Sequence, residues 1–149
     1  MHGVGYQWIV RAFSAFQHNI SNLYIVPSQQ APDPNFSTVS FPNPEEKGAL
    51  DESMKFGNAN GCTIILANDP DADRLAVGEK NVATNTWKVF SGNETGVLLG
   101  YWQIQSWKKA HPGTSAAVLA SVVSSRMLKT VARVEGFQYF DTLTGNILV

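Results

Sequence analysis

Apolar residues in the first part of the chain recur at helical spacing. Val4, Trp8, Ala12 and Phe16 lie four apart, and Ile9, Phe13 and Ile20 widen the stripe. This predicts a helix that follows the Gly3-Val4-Gly5 turn and ends near Asn19, Ser21 and Asn22. The periodicity disappears over residues 27–48. Pro27, Pro32, Pro34, Pro42 and Pro44 make that segment extended and rich in turns. Its Phe36, Val39 and Phe41 predict a loop laid on a core rather than a free linker. Helical spacing returns at residues 49–60, through Leu50, Met54 and Phe56, with Asn58, Asn60 and Gly61 as the stop. Residues 62–67, CTIILA, are all apolar or β-favouring, the pattern of a strand covered on both faces.

RLAVGEK and TWKVF read as two strands joined by NVATN in a hairpin-like pair. Ser91 and Glu94 have capping-box spacing before an apolar run. That run predicts a helix through Val97, Leu98, Tyr101, Trp102 and Gln105, broken by His111, Pro112 and Gly113. AAVLAS reads as another buried strand. SSRMLKTVARVEG reads as a helix with Ser124 or Ser125 as cap and Gly136 as terminator, and FQYF as a last strand. The alternation predicts an α/β fold of mixed, largely parallel sheets layered with helices. There is no internal repeat or low-complexity tract.

Composition narrows the functional classes. The chain has 149 residues, enough for one domain or pieces of two. It is 44% hydrophobic and only 15% charged, with a formal charge of −1. No global field would draw it to nucleic acid or to an anionic membrane. No apolar run is long enough for a membrane span, and MHGVGYQW lacks the features of a signal peptide. A single cysteine, Cys62, excludes an internal disulfide framework and reads as a buried strand residue. These features predict a soluble, cytoplasmic protein.

Several local patterns carry little chemistry. GVG at residues 3–5 lacks the third glycine of a dinucleotide site, since Trp8 stands there. SGNETG lacks the GK[ST] of a P-loop, and a capped helix start explains it. His2, His18 and His111 share no ligand spacing and read as surface or turn residues, with His2 set apart by its glycine turn. Trp8, Trp87, Trp102 and Trp107 have no basic patch beside them, so they read as core and domain contacts rather than base-stacking platforms.

The chemistry concentrates in TIILANDPDADRLAV, where a strand pattern ends in Asp69, Asp71, Asp73 and Arg74. Three carboxylates within five residues repel one another and lose water on folding, so the cluster needs a reason. An EF-hand loop would require Gly where Arg74 stands and Glu where Lys80 stands. A phosphatase of the haloacid dehalogenase type fits the spacing of Asp69 with Asp71, or of Asp71 with Asp73, but lacks the Thr or Val two residues on. A divalent-metal site at the C-terminal end of a strand fits better. Alternate positions of an extended segment point the same way, hard oxygen ligands suit magnesium, and the cation would cancel the repulsion. Arg74 then offers a planar fork to a phosphate or to a neighbouring carboxylate. A solvated acidic turn is the remaining alternative.

ANDPDADRLAV resembles the metal-binding loop of the α-D-phosphohexomutase superfamily. HGVG, PDPNF, FPNPEEKGAL, LANDPDADRLAV, VFSGNETGVLLGYW, VSSRMLKTVA with EGF, and DTLTG occur in this order and cover the chain up to Gly145. That succession resembles the phosphoglucomutase and phosphopentomutase branch, the cytosolic type acting on glucose and pentose phosphates. The resemblance implies a four-domain, monomeric enzyme in which a phosphoserine exchanges its phosphoryl group with a sugar phosphate. It implies Asp69, Asp71 and Asp73 as magnesium ligands and Arg74 as a contact to the phosphorylated serine loop. Thr144 and Gly145 match the start of a sugar-facing loop, although Asn146, Ile147, Leu148 and Val149 then depart from the family pattern. Glucose 1-phosphate and ribose or deoxyribose 1-phosphate are the implied partners.

The resemblance places residues 1–90 in the later part of domain two and residues 91–149 in the earlier part of domain three. A serine loop like T-A-S-H-N-P does not occur, and Ser37, Ser91, Ser115 and Ser124 stand in other contexts. The implied expectation is an internal segment of a mutase, without turnover by itself. A non-catalytic, metal-binding α/β remnant or association module is the alternative.

Overall fold

Strand β1 (Ile64–Asn68) turns back on β2 (Leu75–Asn81), and β2 on β3 (Thr86–Phe90), in a computed structural model that describes residues 1–144. The order is β1-β2-β3 and both pairs are antiparallel, Leu66 opposing Val77 and Gly78 opposing Val89. The connections 69–74 and 82–85 are too short for a crossover, so each reverses the chain. This corrects the balance of pairing expected from the sequence: the fold is mixed α/β, and its parallel ladder is confined to the C-terminal unit.

The chain divides into two compact units, Met1–Ser91 and Gly92–Val149. In the first, α1 (Gly5–Ala15) follows the glycine turn, and α2 (Asp51–Ala59) precedes β1. The buried core joins Ala49, Leu50, Ile65, Ala67 and Ala76, with Met1, Met54 and Trp87 packed against it. Gly57 on α2 leaves room for the Trp87 ring, which a Cβ there would meet at 3.3 Å, and Trp87 Nε1 donates to Asn58 Oδ1 at 3.1 Å. In the second unit, α3 (Gly92–Ala110) precedes β4 (Ala117–Ser121), and α4 (Met127–Glu135) carries the chain to β5 (Gln138–Thr142). β4 and β5 are parallel, with Leu119 beside Phe140. Ser125 Oγ accepts from Met127 N at 3.2 Å, and Gly136, with φ of 81°, ends α4 in the left-handed region. Among the described residues no helix is long and apolar enough to cross a membrane.

Burial differs from the sequence pattern in a consistent way. β1 alternates, with Ile65 and Ala67 buried and Ile64 and Leu66 half exposed, so only one face is covered. β4 likewise leaves Leu119 exposed. An unbroken apolar run was expected to mean cover on both faces, and here it does not. Trp87 packs on the core as expected, whereas Trp8, Trp102 and Trp107 remain exposed, as do Val4 and Phe16 of the α1 stripe. Cys62 lies just before β1 and is only half buried.

His2 is buried rather than a surface residue. Its Nε2 lies 2.8 Å from the Thr38 hydroxyl and accepts from Thr38 N at 3.3 Å, while Gln29 Nε2 donates to the same hydroxyl at 2.8 Å. This cluster holds the proline-rich segment against the N-terminal turn. Of its three apolar anchors, Phe36 and Val39 are half buried, and Phe41 is exposed.

Candidate metal centre

The chain leaves β1 through Asn68 and returns into β2 at Leu75, so residues 69–74 form the tip of this hairpin. Asn68 Nδ2 closes the base by donating to Arg74 O at 2.9 Å. Inside the loop, Ala72 N donates to Asp69 O at 3.1 Å, and Ala72 holds φ of 63° in the left-handed region. That conformation is strained for a residue with a Cβ. The carboxylates therefore converge through a turn and not, as the alternating spacing predicts, through an extended segment.

The N-terminal turn braces the loop from outside. Met1 N donates to Asn68 O at 3.0 Å, and Val4 N donates to Pro70 O at 2.9 Å. A Cβ at Gly3 would overlap the Pro70 backbone, so only glycine permits this approach. A Cβ at Gly5 would meet the Ala72 methyl at 3.1 Å, a tight but milder contact.

Asp69 is the anchor. It is 1% exposed, the largest fully buried side chain in the described structure. Its Oδ1 accepts from Arg74 N at 3.0 Å, and its Oδ2 accepts from Arg74 Nε at 2.7 Å. Burial works against its charge, but the backbone and guanidinium hydrogen bonds of Arg74, followed by those of Asp71 and Asp73, outweigh burial and hold the carboxyl at about 2. Asp71 and Asp73 are exposed. Asp73 is pushed above its ordinary value, first because its neutral form can donate to Asp69 and then by the charge of Asp71.

One carboxylate oxygen from each of Asp69, Asp71 and Asp73 lies within 4.8 Å of the other two. Octahedral magnesium at about 2.1 Å from its ligands holds neighbouring oxygens about 3.0 Å apart and opposite ones about 4.2 Å apart. The donor set is all oxygen and already gathered to within 4.8 Å, near the span such a cation imposes. The residues therefore suit a hard divalent cation, with Asp69 buried and the Asp71 and Asp73 side chains exposed and free to adjust.

Arg74 faces the cluster from the side. Besides Asp69, its guanidinium lies 3.7 Å from Asp73 Oδ1, and its Nη1 donates to Asn43 Oδ1 at 3.2 Å. Asn43 is the residue that sequence reasoning overlooked: it stands in FPNPEEKG, 31 positions upstream, and only the fold brings it to the loop. Thr144 lies exposed just after β5, in the second unit, and Gly145 falls outside the described residues.

Comparisons with known proteins agree with the geometry. Residues 1–83 match the family model described as phosphoglucomutase/phosphomannomutase, alpha/beta/alpha domain II. The chain is similar to human phosphopentomutase, with 48% identity over 150 residues, covering 97% of this chain and 24% of that protein. It is similar to Saccharomyces cerevisiae phosphoribomutase, with 43% identity over 155 residues, 97% of this chain and 24% of that protein. Mouse glucose 1,6-bisphosphate synthase is 44% identical over 148 residues, 97% of this chain and 23% of that protein. The chain thus spans about a quarter of the length of these curated relatives.

Proposed function

This chain belongs to the phosphoglucomutase/phosphomannomutase family, and on that premise we propose that it carries the magnesium loop of a sugar-phosphate mutase. The complete enzyme moves a phosphoryl group between C1 and C6 of a hexose, or C1 and C5 of a pentose, by way of an enzyme phosphoserine. The observation that carries this reading is the convergence of Asp69, Asp71 and Asp73 on one turn, with Arg74 locked beside them.

Asp69, Asp71 and Asp73 would hold the cation. Bound magnesium supplies positive charge that neutralises phosphoryl oxygens and offsets the mutual repulsion of the carboxylates. Asp69 also fixes Arg74, whose Nη2 has no hydrogen-bond partner among the described residues and is available to a phosphoryl oxygen. In the same reading, residues 1–90 are the later part of domain two. Residues 91–149 are the earlier part of domain three, with Thr144 and Gly145 toward the sugar.

The names of the relatives support sugar phosphates as the substrate class; within it our reading takes ribose or deoxyribose 1-phosphate and glucose 1-phosphate as substrates of a cytoplasmic, monomeric enzyme. The 149 residues contain no serine loop of the family type, so these residues alone should give no mutase turnover.

Calorimetric titration with magnesium chloride tests the site. Wild type should bind the cation, and Asp71→Ala should bind it at least about tenfold more weakly, because one of the three ligands is lost. Indistinguishable titrations would refute the metal assignment. Robust conversion of ribose 1-phosphate or glucose 1-phosphate by this chain alone would refute the account of the missing nucleophile.

A further inference from the structure

We propose that Asn43 is a positioning residue for Arg74: it fixes the orientation in which the guanidinium is offered to a phosphoryl oxygen. The inference deepens the reading above and rests on it for the phosphate. The positioning itself rests only on the geometry of the loop.

The Arg74 side chain is 54% exposed, and a solvated arginine samples many rotamers. Asp69 grips it at Nε, which leaves the guanidinium free to swing about that contact. A second fixed point is needed to define its plane. Asn43 Oδ1 provides it, accepting from Nη1 at 3.2 Å. Nη2 and the second Nη1 proton then have no partner among the described residues, and they form the outward edge of the fork.

Asn43 is itself held firmly. Pro42 and Pro44 flank it, and Pro44 is buried. Asn43 N donates to Phe41 O at 2.9 Å, and Glu46 N donates to Asn43 O at 3.0 Å. Its Oδ1 also accepts from Glu45 N at 3.1 Å, forming an Asx turn. Two donors therefore face this oxygen, which fixes the amide orientation. The segment runs on into Ala49 and Leu50 of the core, so the second fixed point is tied to the body of the unit.

The neutral side chain is informative. An aspartate here would supply the same oxygen, but it would add a negative charge beside Asp69, Asp71 and Asp73 and compete with phosphate for the guanidinium. An amide orients Arg74 and leaves its charge available.

Three variants of the full chain separate the roles. Asn43→Ser retains a hydroxyl for the local turn to Glu45 but is too short to reach Arg74. Asn43→Asp retains both acceptor contacts. Asn43→Ala removes both. The first readout is the side-chain Nη1–H resonance of Arg74, assigned with Arg74→Lys. It should be sharp and protected in wild type and Asn43→Asp, and broadened by at least twofold faster solvent exchange in Asn43→Ser. The second is binding of inorganic phosphate in the presence of magnesium, which should weaken about three- to tenfold in both Asn43→Ser and Asn43→Asp, while magnesium affinity stays within twofold in Asn43→Ser.

An unchanged Arg74 resonance in Asn43→Ser, with the fold intact by the amide spectrum, overturns the proposal. If Asn43→Ala alone fails to fold, Asn43→Ser still decides the matter. Arg74→Ala provides the separate control: unaltered phosphate binding in that variant refutes the phosphate role of Arg74, while the resonance still reports whether Asn43 orients it.

Discussion

Asp69 and Asp73 stand four positions apart and titrate in opposite directions. Burial opposes ionisation of Asp69, but the hydrogen bonds of Arg74, joined by those of Asp71 and Asp73, overcome it, whereas the exposed Asp73 yields to its acidic neighbours. The sequence shows three equivalent aspartates at even spacing. Their inequivalence follows from the turn, which folds one carboxylate under Arg74 and leaves two facing out. That distinction is invisible without the left-handed Ala72. A second aspartate offers a direct test of charge-linked stability. The Ser37 hydroxyl, then the Ser37 and Asn35 amides, hold Asp33 at about 2, below its ordinary 3.8. A carboxyl depressed in the folded state stabilises it above the unfolded value and loses that effect as pH falls through the folded one. Melting temperature should therefore decline between about pH 4 and about pH 2 more steeply in wild type than in Asp33→Asn. Parallel melting curves for the two proteins would contradict this.

Helices and turns were legible because their signals are local. The periodic runs gave α1 to α4, and Gly136 stops α4 by adopting the left-handed conformation that glycine allows. Strand positions were legible too, but their cover was not, since an apolar run does not report what lies on each face. The same limit hid the bracing of the metal loop, where Gly3 meets Pro70 across most of the first unit's sequence. Gly3→Ala should force the two segments apart, destabilising the chain by about 1–3 kcal/mol. Ala72→Gly relieves backbone strain but loosens the unfolded chain, so it should change stability by less than about 1 kcal/mol. Urea unfolding of both variants checks the pair. Equal effects would mean that the approach of residues 3–5 does not set the loop.

At the scale of the whole molecule, each unit carries large apolar side chains on its surface. Residues from α1, α2 and β1 line a cavity of about 640 Å³ in the first unit, with Phe13, Phe56 and Leu66 among its walls. In the second, Leu119, Val123, Val134 and Phe140 are exposed. The folded chain should bind an apolar dye, and Leu66→Lys should lower that fluorescence by about half without unfolding the protein. Fluorescence at the level of a well-packed globular protein would show these surfaces to be covered. Strand β1 extends the point. Among the described residues it pairs with no strand but β2, so beyond the Asn68 carbonyl held by Met1 N its other side is an open margin at Ile64 and Leu66. Such a margin is a template for self-association: encounters between copies can extend the ladder from one molecule to the next, and the tendency grows with protein concentration. The colloidal behaviour of the chain should thus follow its strand margins, and the outer edge of β1 is the one flanked by half-exposed Ile64 and Leu66.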